Sequence, residues 1–209
     1  MEGQSKSKST RYSLPSTLIL ASASPRRKML LGRLGVPFIV RASHIPENSS
    51  ELRPAMLVKE LALRKAKATA ERVLVGRVRP ATFVLGADTI VALGRKILGK
   101  PTDRHDAYAM LSSLSGSIHH VYTGVALIEV GTKRQWVRHA VSQVRMKKML
   151  PTQISRLSKR HLDKAGAYAI QDRRDPYARV IKGTYENVVG LPLHAVSALL
   201  RQAGFKVNG

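Results

Sequence analysis

Three stretches of this chain carry residues that could do chemistry on an anion. Asp88 stands in LGADTIVAL, a run that is otherwise apolar. A carboxylate buried alone there is costly, so it requires a partner: a divalent cation, an arginine or a nest of backbone amides. So partnered, it would hold a metal or act as a general base; otherwise it is a strand-end aspartate making a local turn with Thr89. Glu47, in HIPENSSE, follows a candidate strand and could bring a second carboxylate to the same cleft. Two carboxylates and a magnesium ion would make a site for phosphate chemistry, and a solvated loop acid is the alternative. In SASPRR, the hydroxyls of Ser22 and Ser24 and the guanidinium groups of Arg26 and Arg27 gather where a helical pattern begins. Free N–H groups and the positive end of the helix dipole favour phosphate at such a place. The same residues also make an ordinary capped helix with two solvated arginines.

Lysines add a weaker signal. Lys65 lies in the helical stretch KELALRKAKA, Lys100 in the turn-like LGKP and Lys164 in LDKAGAYAIQ. In a chain with 36 lysines and arginines against 13 acids, most such side chains are solvated. The resulting charge of +23 draws phosphates, nucleic acids and acidic surfaces alike, so it speaks of encounter rather than reaction.

Other chemistries are excluded. With no cysteine there is no disulfide, thiolate nucleophile or cysteine-ligated zinc. His119 and His120 are adjacent rather than a helical turn apart, and no HExxH accompanies them. The serines lack a GxSxG turn, no GxxxxGK[ST] loop occurs, and the aromatics are too few for a nucleic-acid stacking platform. No apolar run reaches the roughly 18 to 20 residues that span a bilayer. The expectation is a cytoplasmic protein without a membrane partner; an organellar transit peptide is the alternative for the serine-rich, basic leader.

The elements that must position these residues alternate between short apolar runs and longer helical patterns, which predicts an α/β fold. Strands are expected at LILA, PFIVRA, TFVLGADTIVAL, HVYTGVALIEV, RQWVRHAVSQVRM and RVIKGTY. Helices are expected at PRRKMLLGRLG, PAMLVKELALRKAKATAERVL, DRHDAYAMLSSLSG, PTQISRLSKRHL and GLPLHAVSALLRQAG. Ser24 before Pro25 and Asp103 before the third helix read as N-caps. Residues 1–16 read as a flexible basic tail and 17–209 as a single domain.

The motifs LILASASPRRKMLL, HIPE, LGADTIVAL, ILGKP, HHVYTGVAL, DKAGAYAIQ and ENVVGLPL occur in the order found in the Maf family, which this chain therefore resembles from about Leu18 to Leu200. The resemblance implies an inosine triphosphatase-like fold: a mixed twisted sheet with surrounding helices and a deep cleft between two lobes. It implies hydrolysis of nucleoside triphosphates to monophosphate and pyrophosphate with Mg²⁺, or Mn²⁺ or Co²⁺. On that basis Asp88 is the expected proton acceptor and, with Glu47, the metal site. Lys65, Lys100 and Arg27 are the cations around the triphosphate, while Ser22, Ser24 and Lys164 complete the substrate contacts. Arg26, Thr89 and Gln171 match the positions associated with dTTP and UTP, against a branch of the family acting on 7-methyl-GTP. A purine preference, or a basic nucleic-acid-binding protein with a vestigial site, are the competing readings. The resemblance also admits a homodimer and a link to septum formation. One departure is the charged turn after Gln171, DRRDP, where family members carry glycines.

Overall fold

The computed structural model describes residues 16–74, 81–132, 134–171 and 176–207. The expected basic tail, apart from Ser16, and the charged turn at 172–175 lie outside the described residues.

The expected α/β architecture is present. Strand β1 (Thr17–Leu20) leads to helix α1 (Pro25–Gly32), β2 (Phe38–Val40), the long helix α2 (Pro54–Leu74) and β3 (Thr82–Leu93). Then come β4 (Lys96–Leu98), α3 (Arg104–Leu114), β5 (Ile118–Glu129), β6 (Gln135–Met146) and α4 (Pro151–Leu157). A single 3-10 turn at Ala165–Ala167 precedes β7 (Ala178–Lys182), α5 (Tyr185–Val189) and α6 (Leu193–Gln202). The sheet is open, in the order β2-β1-β3-β5-β6-β7, with β4 paired to β3. It is mixed: β1 is parallel to β2 and β3, whereas β3, β5, β6 and β7 are antiparallel neighbours.

Both expected caps form. The Ser24 hydroxyl accepts the Arg27 amide at 3.4 Å, with Pro25 opening α1, and Asp103 accepts the Asp106 amide at 2.8 Å. Helix α1 stops at Gly32, short of the expected pattern, and Gly35 turns the chain at φ +68°. Strand β3 is buried almost throughout, as a continuous apolar run covered on both faces should be. Helix α2 turns Leu57, Val58, Leu61, Ala62, Lys65, Ala66, Thr69 and Ala70 inward, a stripe of helical period with a lysine in it.

Two features of the sheet create the site. First, β3 and β5 run through two apolar clusters: Phe83, Leu85, Ala87, Val125 and Leu127 belong to one with Leu30, Leu191 and Leu199, whereas Val91 and Val121 belong to another with Leu111, Leu114 and Leu157. Asp88, Thr89 and Thr123 fall between the two clusters. Second, β1 pairs with Thr82–Leu85 and β4 with Val91–Leu93, so one edge of β3 from Gly86 to Ile90 has no strand beside it. The carboxyl end of β1 and the SASPRR turn open onto that gap.

Candidate active site

The gap is the floor of a cleft of about 750 Å³, the size of a small-molecule site. The structure gathers every site residue singled out in the sequence along its walls: Ser22, Ser24, Arg26, Arg27, Glu47, Lys65, Asp88, Thr89, Lys100, Lys164 and Gln171. Side chains alternate along a strand. Asp88 accordingly turns to α2 and Thr89 to α1 and α5, one on each side of β3.

On the α2 side, the partner that buried Asp88 requires is a lysine. Lys65 Nζ donates to Asp88 Oδ1 at 2.5 Å and to Glu47 Oε1 at 2.8 Å. Lys100 Nζ donates to both Glu47 oxygens, at 2.8 and 2.9 Å. Burial pushes the Glu47 carboxyl up, but the hydrogen bonds from Lys100 and Lys65 outweigh it and hold the group down at about 2. The two carboxylates thus converge on one cation. Among the described residues no group of three or more histidines and carboxylates could hold a metal alone. Two hard oxygen donors nonetheless suit Mg²⁺ or Mn²⁺, which take one or two carboxylates and complete their shell with substrate phosphates and water.

On the α1 side, Arg27 is a strut. Its Nε donates to the Gly190 carbonyl at 2.9 Å, Nη1 to the Ala87 carbonyl at 2.9 Å and to Ser22 Oγ at 3.4 Å, and Nη2 to Thr89 Oγ1 at 3.1 Å. The bond to Ala87 fills the edge of β3 that lacks a strand. Most of its fork is thereby engaged by protein, so Arg27 meets an anion chiefly through its charge rather than by the bidentate bond that its sequence context suggests. Burial lowers its pKa, with Asp88 and Glu47 opposing. Ser22 Oγ accepts from both Arg27 and the Ser24 amide, at 3.3 Å for the latter, which leaves its own proton for the cleft. Ser24 is spent as the cap of α1.

At the mouth, Arg26 and Lys164 share a partner that sequence reasoning missed. Asp163 lies 3.6 Å from Arg26 Nη1 and 2.6 Å from Lys164 Nζ. Burial raises the Asp163 pKa, but Lys164 and then Arg26 bring it below its ordinary value. Gln171 and Tyr168 form the wall beyond. The Tyr168 hydroxyl is 2.8 Å from His119 Nε2, and burial raises its pKa. Also missed were Thr123, Asn187 and Gly190, although their motifs HHVYTGVAL and ENVVGLPL were in view; nothing in the sequence tells that two strands and a short helix put them beside Thr89.

A cleft at the carboxyl end of a parallel strand, lined by five cations and three carboxylates, defines a protein built to receive a polyanion of nucleotide size beside a carboxylate pair. The chain belongs to the Maf-like protein family, which matches residues 17–203. Curated relatives include the dTTP/UTP pyrophosphatase of Desulforamulus reducens, 44% identical over 193 residues that cover 91% of this chain and 98% of the relative. The dTTP/UTP pyrophosphatase of Moorella thermoacetica is 45% identical over 197 residues, covering 93% of this chain and 98% of the relative. That of Alkaliphilus oremlandii is 45% identical over 194 residues, covering 91% and 97%.

Proposed function

We propose that this chain is a nucleoside triphosphate pyrophosphatase that hydrolyses dTTP and UTP to the monophosphate and pyrophosphate. The observation that carries the reading is the meeting of Asp88 and Glu47 on Lys65 inside a cation-lined cleft; the names of the curated relatives supply the substrates. Attack of water at the α phosphorus needs charge neutralisation and in-line placement more than a covalent intermediate. Asp88 accepts the proton of the attacking water, whose position it fixes by hydrogen bonding. Lys65 holds both carboxylates in place by hydrogen bonding to each. Lys100, Lys164 and the field of Arg27 receive the phosphates, and Ser22 donates its free proton to a phosphate oxygen. Asp88 and Glu47 would hold a divalent cation, Mg²⁺, Mn²⁺ or Co²⁺, which supplies Lewis-acid neutralisation of the triphosphate.

The test is a panel of canonical triphosphates and 7-methyl-GTP scored for pyrophosphate release with Mg²⁺. Turnover of dTTP and UTP is expected, with a fall of at least about a hundredfold in Asp88→Asn. Orthophosphate as the sole product, or a purine nucleotide as the best substrate, would overturn the reading.

A further inference from the structure

Glu47 is carried on residues 41–52, which form neither helix nor strand between β2 and α2. Among the described residues no backbone–backbone hydrogen bond anchors the chain from 42 to 52. A free loop of this length samples many conformations, and a carboxylate on it would move with them. Side chains of α2 supply the anchors instead. Arg64 Nη1 donates to the Asn48 carbonyl at 2.6 Å and Nη2 to the Pro46 carbonyl at 3.2 Å, so one guanidinium grips the main chain on both sides of Glu47. Four residues earlier on the same helix face, Glu60 accepts the Ser49 hydroxyl at 2.9 Å and lies 3.5 Å from Arg64 Nη1. Farther along, Arg72 Nη2 donates to the Ala42 carbonyl at 3.0 Å. Lys65, the residue after Arg64, holds the Glu47 side chain itself.

Adjacent residues of α2 thus divide the task, one taking the side chain of Glu47 and the other its main chain. An ammonium group is a point charge on a flexible stem, so Lys65 and Lys100 can follow the carboxylate as it moves without fixing where it stands. A guanidinium is a planar fork, and with its two ends on carbonyls two residues apart it allows the loop little freedom. Arg64 is not one of the residues that line the cleft, and its side chain is 35% exposed. Its effect on the site must pass through the loop. We propose that Arg64 is a positioning residue that presents Glu47 to the cleft by fixing the main chain at Pro46 and Asn48, with Glu60 orienting its guanidinium. The inference rests on the proposed function for the work that Glu47 does once in place. Such work tolerates little displacement, since about 1 Å of misplacement can cost on the order of a hundredfold in rate.

The experiment is a double-mutant cycle of Arg64→Met and Glu47→Gln, scored by pyrophosphate release from UTP, with thermal melting to show that each variant is folded. Arg64→Met alone is expected to lower kcat about tenfold. In the Glu47→Gln background the same change is expected to cost less than about twofold, because the group it positions is already gone. Arg64→Lys keeps the charge without the fork and is expected to stay impaired. An equal loss in both backgrounds, an unchanged kcat in Arg64→Met, or full activity in Arg64→Lys overturns the inference and leaves the proposed function standing. A wild-type chain that releases no pyrophosphate from UTP or dTTP overturns the proposed function instead. Where turnover is too slow to compare, in that case or in the Glu47→Gln background, the loop is read by a glutamate-specific endoprotease with mass spectrometry. Cleavage after Glu47 is then expected to be several-fold faster in Arg64→Met than in wild type, and equal rates overturn the inference.

Discussion

A lysine that touches two carboxylates decides what both can do. Without Lys65, Asp88 would be a lone buried charge and Glu47 would keep only the exposed Lys100. Behind Tyr168 the reverse applies: His119 is buried on β5 where, among the described residues, no carboxylate sustains a charge on it. Burial, helped by neighbouring His120, lowers its pKa to about 4. Its Nε2 is committed to Tyr168 and its Nδ1 has no partner among the described residues. The sign of the pH effect follows. Above about pH 6.5 the imidazole is neutral folded and unfolded and contributes no pH dependence. As pH falls below 6.5 the unfolded chain takes up a proton that the folded chain refuses. Stability then drops by about 1.4 kcal/mol per pH unit, until the folded group protonates near pH 4, for about 3 kcal/mol in all. His119→Gln keeps a polar group opposite Tyr168 but cannot titrate. Urea unfolding at pH 7 and pH 4.5 is expected to show a loss smaller by about 2 to 3 kcal/mol in the variant than in wild type. Equal losses would place the acid sensitivity elsewhere.

At the scale of elements, the reach of Lys65 depends on how closely α2 lies on the sheet. Two glycines set that approach. A Cβ at Gly86 would collide with the Ala62 carbonyl, and one at Gly124 with the Val58 carbonyl. Gly124 is the register partner of Asp88, so the bare backbone opposite the carboxylate is what lets α2 settle there. Gly124→Ala must push the helix away, at a cost of about 1 to 3 kcal/mol. With the helix goes Lys65, so pyrophosphate release is expected to fall by more than the loss of folded protein explains. Urea unfolding and a kcat measurement on the folded fraction check this; unchanged kcat would mean that Lys65 follows Asp88 wherever the helix sits. These elements also mark what the sequence disclosed. Strands β3, β5 and β6 and helix α2 announce themselves by long apolar patterns, and Ser24 and Asp103 by their caps. Lys65 stood out only as one weak signal among many lysines and through the family resemblance; the inward stripe that it interrupts shows once α2 lies on the sheet. The three residues of β4 and five of α5 are too short to show a period. The closeness of Thr89, Thr123 and Asn187 was hidden because strand register is settled by pairing across the sheet, not by neighbours in the chain.

For the whole molecule the question is what a net charge of +23 does for a cleft that holds five of the cations and three of the acids. The excess within the cleft is small, so most of the field originates elsewhere on the chain. At physiological ionic strength the Debye length is about 8 Å, which screens exposed charges farther away and spares those within the cleft. Distant lysines and arginines therefore speed the encounter with a triphosphate at low salt and contribute little to the bound state. Raising salt from about 50 to 200 mM is expected to lower kcat/KM for UTP a few-fold, through KM, with kcat unchanged. Duplex DNA held by the same distributed charge must respond far more steeply. A contact with six or more phosphates loses about a thousandfold in affinity over that range. Steady-state kinetics and fluorescence anisotropy with a labelled duplex, run in the same buffers, compare the two slopes. A steep DNA slope beside a shallow catalytic one makes the basic surface an encounter device for a cleft enzyme. Duplex binding that survives 200 mM salt, and survives in Asp88→Asn without any triphosphate turnover, would instead make nucleic acid the partner and the cleft a remnant.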